Sequence, residues 1–295
     1  MSLLLGYACI NTVIPTKLKT CRLATYHKKG KEIIKQHTIS NLKSVILALK
    51  WNIKNDILFF RISSDIVPLG SHQDMDWEWW LDSDVLDLTT EIKTLQENYQ
   101  MRLSMHPGQY TVISSTREDV FKRSVKDLEY HDRLLNLIGG TEMIIHGGGA
   151  YGDMDSAKNR FADRYLTLSS SIRKKLILEN DDVTYQLHDV LEIHDKCGIP
   201  ICFDIHHHHC NHGKETISLR DLFDKVIDSW PSGTTPKVHI SSGKEYLTDR
   251  RHHDYVFKED FEKLLAIING RNVDIMLEAK KKEQAVLKLT EEVSN

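Results

Sequence analysis

Residues 200–209 read Pro200-Ile201-Cys202-Phe203-Asp204-Ile205-His206-His207-His208-His209. The first half is a short apolar run, long enough for a buried strand and too short for a typical helix. The second half is a carboxylate followed by imidazoles, with Asp204 and His207 three apart. Carboxylate oxygens beside neutral imidazole nitrogens suit a catalytic divalent metal better than a closed structural site. Taken alone, the run reads equally well as a His-rich polar loop. A purification tag is the poorer reading, because the run is internal and continues out of an apolar strand. What separates the readings is whether an apolar run ending in a metal-competent side chain recurs along the chain.

It does. Short β-branched or aromatic runs bounded by turn residues occur at Leu3–Tyr7, Ile57–Ile62, Arg102–Met105, Glu142–Ile145, Lys175–Leu178, Pro200–Ile205, Lys237–Ile240 and Val273–Leu277. Between them the apolar residues take helical spacing. Ser40 predicts an N-cap ahead of Leu42, Val45, Ile46 and Leu49, with the helix ending over Asn52 to Asp56. Asp84–Tyr99, Arg117–Ile138, Ala157–Lys174, Tyr185–Cys197, Leu219–Ser229, Glu259–Ile268 and Glu283–Glu292 repeat the theme. Strand and helix alternating in this way predict an α/β fold, a single (β/α)8 TIM barrel. A doubly wound open sheet competes, but no Gly-rich phosphate fingerprint follows any strand. No linker or composition shift divides the chain, so one domain over residues 1–295 is expected.

In such barrels the carboxyl ends of the strands converge on one face, and that face carries the chemistry. The ends read Tyr7 and Asn11; Arg61 and Ser63; His106; His146; Glu179 and Asn180; Asp204 and His207; His239; Glu278. Each lone histidine is most simply a hydrogen-bonded barrel residue, but so many strand ends delivering such groups make a site. Four imidazoles (His106, His146, His207, His239) and three carboxylates (Glu179, Asp204, Glu278) exceed what one ion uses. Two or three divalent ions are implied, with Glu179 and Asp204 as bridges. Ions about 4 Å apart stabilise the attacking and leaving oxygens of an in-line displacement at phosphorus and acidify a bound water. Phosphodiester hydrolysis is the reaction this predicts.

Composition is that of an ordinary globular enzyme, 40% hydrophobic and 27% charged, with a net charge of only −3. No apolar run approaches the roughly 20 residues of a membrane span. The N-terminus lacks the features of a secretory signal, so a cytoplasmic protein is expected. Five cysteines without a C-x-x-C pair argue against a disulfide framework and a thiolate zinc knuckle. Charge is unevenly placed: Lys17, Lys19, Arg22, Lys28, Lys29, Lys31 and Lys35 face a single acid, Glu32. Such a run is usually a solvated loop. Between the first strand and its helix, on the catalytic face, it is expected to neutralise phosphates. In His106-Pro107-Gly108-Gln109-Tyr110 a Pro-Gly turn is expected to project an amide and an aromatic, groups suited to entering a duplex and stacking on a base. The plainer alternative is that Tyr110 packs beneath the loop.

With these residues in view, the chain resembles the UV damage endonucleases, the UvdE family of the endonuclease IV-like TIM-barrel group. The resemblance runs from Gly6-Tyr7-Ala8-Cys9-Ile10-Asn11 to Met276-Leu277-Glu278. It includes Arg61-Ile62-Ser63-Ser64, His106-Pro107-Gly108-Gln109-Tyr110, Ile144-Ile145-His146-Gly147-Gly148, Leu178-Glu179-Asn180-Asp181, Phe203-Asp204-x-His206-His207, Lys237-Val238-His239-Ile240-Ser241-Ser242 and Arg251-His252-His253-Asp254-Tyr255. It implies a metal-dependent endonuclease that nicks double-stranded DNA immediately 5′ to cyclobutane dimers and 6-4 photoproducts, leaving 3′-hydroxyl and 5′-phosphate ends, and that also cleaves abasic sites. By the same resemblance His106, His146 and Glu179 hold one ion, and Glu179, Asp204, His239 and Glu278 a second. His207, His252 and Asp254 hold a third. Gln109 and Tyr110 match the family's probing pair, Tyr7 and Asn11 its lesion pocket, and Lys237 a metal-site lysine that can be carboxylated. Manganese is the family's favoured metal, with magnesium or zinc as alternatives, and a monomer is expected. The motif leaves His252 and His253 in competition, as it does His207 with His206, His208 and His209.

Three other readings remain. A two-metal sugar isomerase on the same barrel would leave plasmid DNA intact, and an abasic-site endonuclease would ignore photoproducts. A non-catalytic damaged-DNA binding protein would have no use for Glu179, Asp204 and Glu278 together.

Overall fold

The computed structural model describes residues 3–15, 17–213 and 217–294. Eight strands, β1 (Leu5–Cys9), β2 (Phe59–Ile62), β3 (Arg102–Met105), β4 (Glu142–His146), β5 (Leu176–Glu179), β6 (Ile201–Asp204), β7 (Lys237–Ile240) and β8 (Asp274–Leu277), pair in parallel and in order. β8 closes on β1 through Leu5–Ile275, Gly6–Met276 and Tyr7–Leu277. This is the expected TIM barrel, with strand ends within two residues of those read from the sequence. Parallel strands need crossovers, and helices supply them on the outside.

Alternation along each strand divides the protein into two interiors. Tyr7, Phe60, Leu103, Met105, Ile145, Leu178, Phe203, Val238 and Ile275 face outward and join the helices in one large apolar core. The inward positions form much smaller apolar clusters, Ala8 with Phe59 and Met276, and Ile144 with Ile177 and Cys202, the latter joined by Trp230 from the connection before β7. The rest of the barrel axis is polar. Phe59 plugs it, its ring 5.2 Å from Arg102 Cζ and 5.1 Å from Lys237 Nζ. Gly6 makes room for that plug, since a Cβ there would lie 2.5 Å from Phe59 O and 2.8 Å from the ring.

Three local expectations fail. The helix expected to start after Ser40 runs over Lys31–Lys54, because its buried face begins earlier, at Ile34 and Thr38. Asn41, fully buried within it, ties down two loops through Lys19 N and O, Asp65 O and Ile66 O. The expected helix Ala157–Lys174 is two helices, Met154–Thr167 and Ser170–Arg173, capped by the side chains of Asp153 and Ser169. The basic stretch is not a loop throughout, since Lys28, Lys29, Lys31 and Lys35 lie on the helices Leu23–Lys29 and Lys31–Lys54. Lys35 is held by Asp82 at 2.9 Å and Asp84 at 2.8 Å, which removes it from any phosphate.

Candidate metal centre

Strand register assembles the site. β4 and β5 pair His146 with Glu179, and β6 and β7 pair Asp204 with His239, so four of the expected ligands are cross-strand neighbours at the barrel's carboxyl end. His106 and Glu278 directly follow β3 and β8. The run after β6 is the short helix Ile205–Cys210 rather than a loop, with Asp204 as its N-cap. One oxygen of that carboxylate, Oδ1, accepts from His207 N at 2.8 Å. Asn180 clamps the backbone of Asp204 from both sides, its Nδ2 donating to Asp204 O at 3.0 Å and its Oδ1 accepting from Asp204 N at 2.9 Å.

Glu179, fully buried, is the hub. Its Oε2 lies 3.1 Å from His106 Nε2 and 3.6 Å from His146 Nε2. Its Oε1 lies 2.7 Å from His239 Nδ1 and 3.6 Å from His207 Nδ1. The donor atoms fall into three overlapping groups: His106, His146 and Glu179; Glu179, Asp204 and His207; Glu179, His239 and Glu278. His252 adjoins the third group, with Nδ1 3.9 Å from Glu278 Oε2.

The electrostatics favour positive charge here. Burial alone would raise the Glu179 and Glu278 carboxyls, yet both lie well below the usual range, held there by His239 and His146 and by Arg61 and His239 respectively. Burial would likewise push the His207 imidazole down, but the Asp204, Glu179 and Glu278 charges raise it to about 10. His146 shifts the other way under burial, which keeps it neutral as a ligand must be. Asp204 Oδ2, His146 Nδ1 and His239 Nε2 are buried without a hydrogen-bond partner, and buried polar atoms are seldom left so. Two acids, hard oxygen donors and borderline imidazoles around a shared carboxylate fit divalent cations.

Other expected site residues are placed less uniformly. Lys237 sits deeper in the barrel, its Nζ donating to Ser104 Oγ at 2.8 Å, and burial lowers its ammonium to about 8. Gln109 and Tyr110 project from the mouth, Tyr110 85% exposed. Tyr7 and Asn11 are both buried, and Asn11 lines a small cavity with Cys9, Ile10, Leu18 and Phe60. Tyr7 faces the outer helices, its hydroxyl bonded to Asn52 Oδ1 at 2.6 Å and to Asn11 Nδ2 at 3.0 Å. Asp254 is exposed and belongs to none of the three groups. His253 turns away to Tyr255 and packs tilted against Phe257, leaving His252 the imidazole at the site. Asp204 falls with His207, where the resemblance grouped it with His239 and Glu278. Arg61, which pairs with Glu278 Oε1, and Asn180 were read only as strand-end or motif residues. Arg61's inward register, two residues beyond Phe59, was the one available signal.

Known proteins bear on this geometry. The UV-endonuclease UvdE family matches residues 3–295. A UV DNA damage endonuclease of Clostridium perfringens is 37% identical over 289 residues, covering 96% of this chain and 69% of that protein. One from Bacillus pumilus is also 37% identical, covering 94% and 88%. The crystal structure of SacUVDE superposes with a TM-score of 0.91 at 32% identity, over 99% of this chain and 98% of the other. No described helix is long and apolar enough to cross a membrane. A closed barrel whose mouth gathers acids and imidazoles around one carboxylate, matched along its length by these sequences, is a UV damage endonuclease, and the chain belongs to the UvdE family.

Proposed function

We propose that the enzyme nicks duplex DNA immediately 5′ to cyclobutane dimers and 6-4 photoproducts, and at abasic sites, leaving 3′-hydroxyl and 5′-phosphate ends. The observation that carries this reading is the division of Glu179, one oxygen toward His106 and His146 and the other toward His239 and His207. A carboxylate shared in that way is suited to bridging two or three divalent ions, manganese foremost. Bound there, such ions would supply Lewis acidity and charge neutralisation at a transferring phosphoryl group. The protein's own part is to fix the donors: Asn180 and the helix cap hold Asp204, and Arg61 holds Glu278. Tyr110, exposed at the loop tip, would stack where a lesion has weakened the helix and lowered the cost of extrusion.

The test is relaxation of UV-irradiated supercoiled DNA after treatment with a chelator, then with manganese restored. Nicking confined to irradiated DNA and recovered only with manganese is expected. Equal nicking of unirradiated DNA, or nicking indifferent to chelator, would overturn the reading. Oligonucleotides bearing one dimer or one abasic analogue, with end analysis, fix the position and the products.

A further inference from the structure

The loop that follows β7 is built more firmly than a connection requires. Gly243 and His252 form an antiparallel bridge, Lys244 N donates to Arg251 O at 2.7 Å, and His253 N donates to Ser242 O at 2.8 Å. Buried Asp249 accepts from Glu245 N at 3.2 Å, Arg251 N at 3.0 Å and the Arg251 guanidinium at 2.7 Å. Its carbonyl lies 3.0 Å from His206 Nε2. At Gly243 a Cβ would lie 2.0 Å from Tyr246 O, so the finger is tightly closed. Its tip nevertheless holds Tyr246 62% exposed and Leu247 45% exposed. Ordering an aromatic and a leucine in water gains the isolated chain nothing, but it lowers the entropy lost on binding.

Lys244 on the finger, and Lys280, Lys281 and Lys282 in the turn after β8, have no acidic partner among the described ion pairs, whereas the finger's Arg251 is held by Glu245 and Asp249. Lys280 N and Lys281 N donate to His253 O and Asp254 O, which fastens this cationic turn to the finger's base. The base also carries His252, beside Glu278. β3 and β7 stand on opposite sides of the closed ring, so the finger is rooted across the mouth from Gln109 and Tyr110.

We propose that the finger 243–252, with Tyr246 and Leu247 at its tip and Lys280–Lys282 at its base, is a second DNA-binding wall. It grips the duplex across the metal centre from Tyr110. The lysines meet phosphates, and the tip presses its ring and branched side chain on bases exposed where the duplex bends. This rests on the DNA-nicking function proposed above.

Two double variants test it, Tyr246→Ala with Leu247→Ala and Lys280→Gln with Lys281→Gln. Fluorescence anisotropy in chelator reads their binding to a duplex with one thymine dimer and to its intact counterpart. Removing the tip should weaken dimer binding roughly tenfold, as for loss of one base–aromatic stack, with manganese content and melting temperature unchanged. Removing the lysines should flatten the plot of log affinity against log salt by about 0.9 for each phosphate they neutralise in the parent. Parental affinity in the tip variant overturns the wall, whatever the plasmid assay gives. A change of sedimentation from dimer to monomer with DNA binding intact also overturns it, as an interface between copies. A parent that binds damaged duplex but does not nick irradiated plasmid removes the nicking reading alone, and the loss of affinity still judges the wall.

Discussion

The two mouths of the barrel hold similar charges and use them differently. At the amino end Arg102 donates Nε to Glu142 Oε1 at 2.9 Å, Nη1 to Asp274 Oδ2 at 2.5 Å and Nη2 to Thr235 O at 2.8 Å. Asp274 in turn accepts from Leu4 N at 3.1 Å. Every guanidinium nitrogen has a protein partner. Beyond the Phe59 plug, at the carboxyl end, acids and imidazoles crowd around Glu179 and leave Asp204 Oδ2, His146 Nδ1 and His239 Nε2 unpartnered. At the amino mouth one carboxylate oxygen, Glu142 Oε2, also lacks a hydrogen bond, but its partner oxygen is tied to Arg102. At the carboxyl mouth the open donor atoms converge on one centre, as a ligand site requires.

If this contrast is right, mutations at the two ends should separate activity from stability. The largest effect belongs to Glu179→Ala, which should cut nicking of irradiated plasmid on the order of 10³-fold or more, beyond the loss of a single transition-state donor. Damaged-duplex binding should stay measurable, because no DNA contact is assigned to Glu179. Persistent nicking would break the comparison at its active end. Arg102→Met should do the reverse. It strands Glu142 and Asp274 in a buried mouth, and removing one member of such a network costs about 3–5 kcal/mol. Chemical denaturation should show that loss, with nicking per folded molecule unchanged. A change within about 0.5 kcal/mol, typical of an indifferent surface site, would mean that the amino mouth does not hold the barrel shut.

What the sequence disclosed follows the same division. Strands buried on both faces read as continuous apolar runs, and a polar group at the end of such a run marks the carboxyl mouth, so His106, His146, Glu179, Asp204, His239 and Glu278 were legible. Period-2 reasoning stops at the strand end. Beyond Asp204 the chain turns into a helix, which is why alternation cannot tell His207 from its neighbours and the choice rests on motif position. Motif position alone favours His252 over His253, and what separates them physically, the bridge to Gly243 and the approach of His252 to Glu278, is made across a loop. The basic run Lys17–Lys35 was visible as charge, but Lys35's partners Asp82 and Asp84 lie far along the chain. Tyr7 ended a plausible strand. The true strand runs on to Cys9, and its register sends Tyr7 outward to Asn52.

The smallest effect, and the one that sharpens the contrast most, is at Tyr110. Its ring is almost wholly in solvent and contributes no packing, so Tyr110→Ala should leave the unfolding free energy within about 0.5 kcal/mol of the parent. It should also leave divalent-metal binding unchanged, since the candidate ligands sit at the strand ends behind it. What it should lose is discrimination. Stacking on a base is worth about 1–3 kcal/mol, and only a duplex already weakened by a lesion opens a site for the ring. The ratio of affinities for dimer-bearing and intact duplexes should therefore fall roughly tenfold, with intact-duplex binding little changed. A loss shared equally by both duplexes would make Tyr110 a general backbone contact. Recognition of damage would then have to come from elsewhere on the mouth.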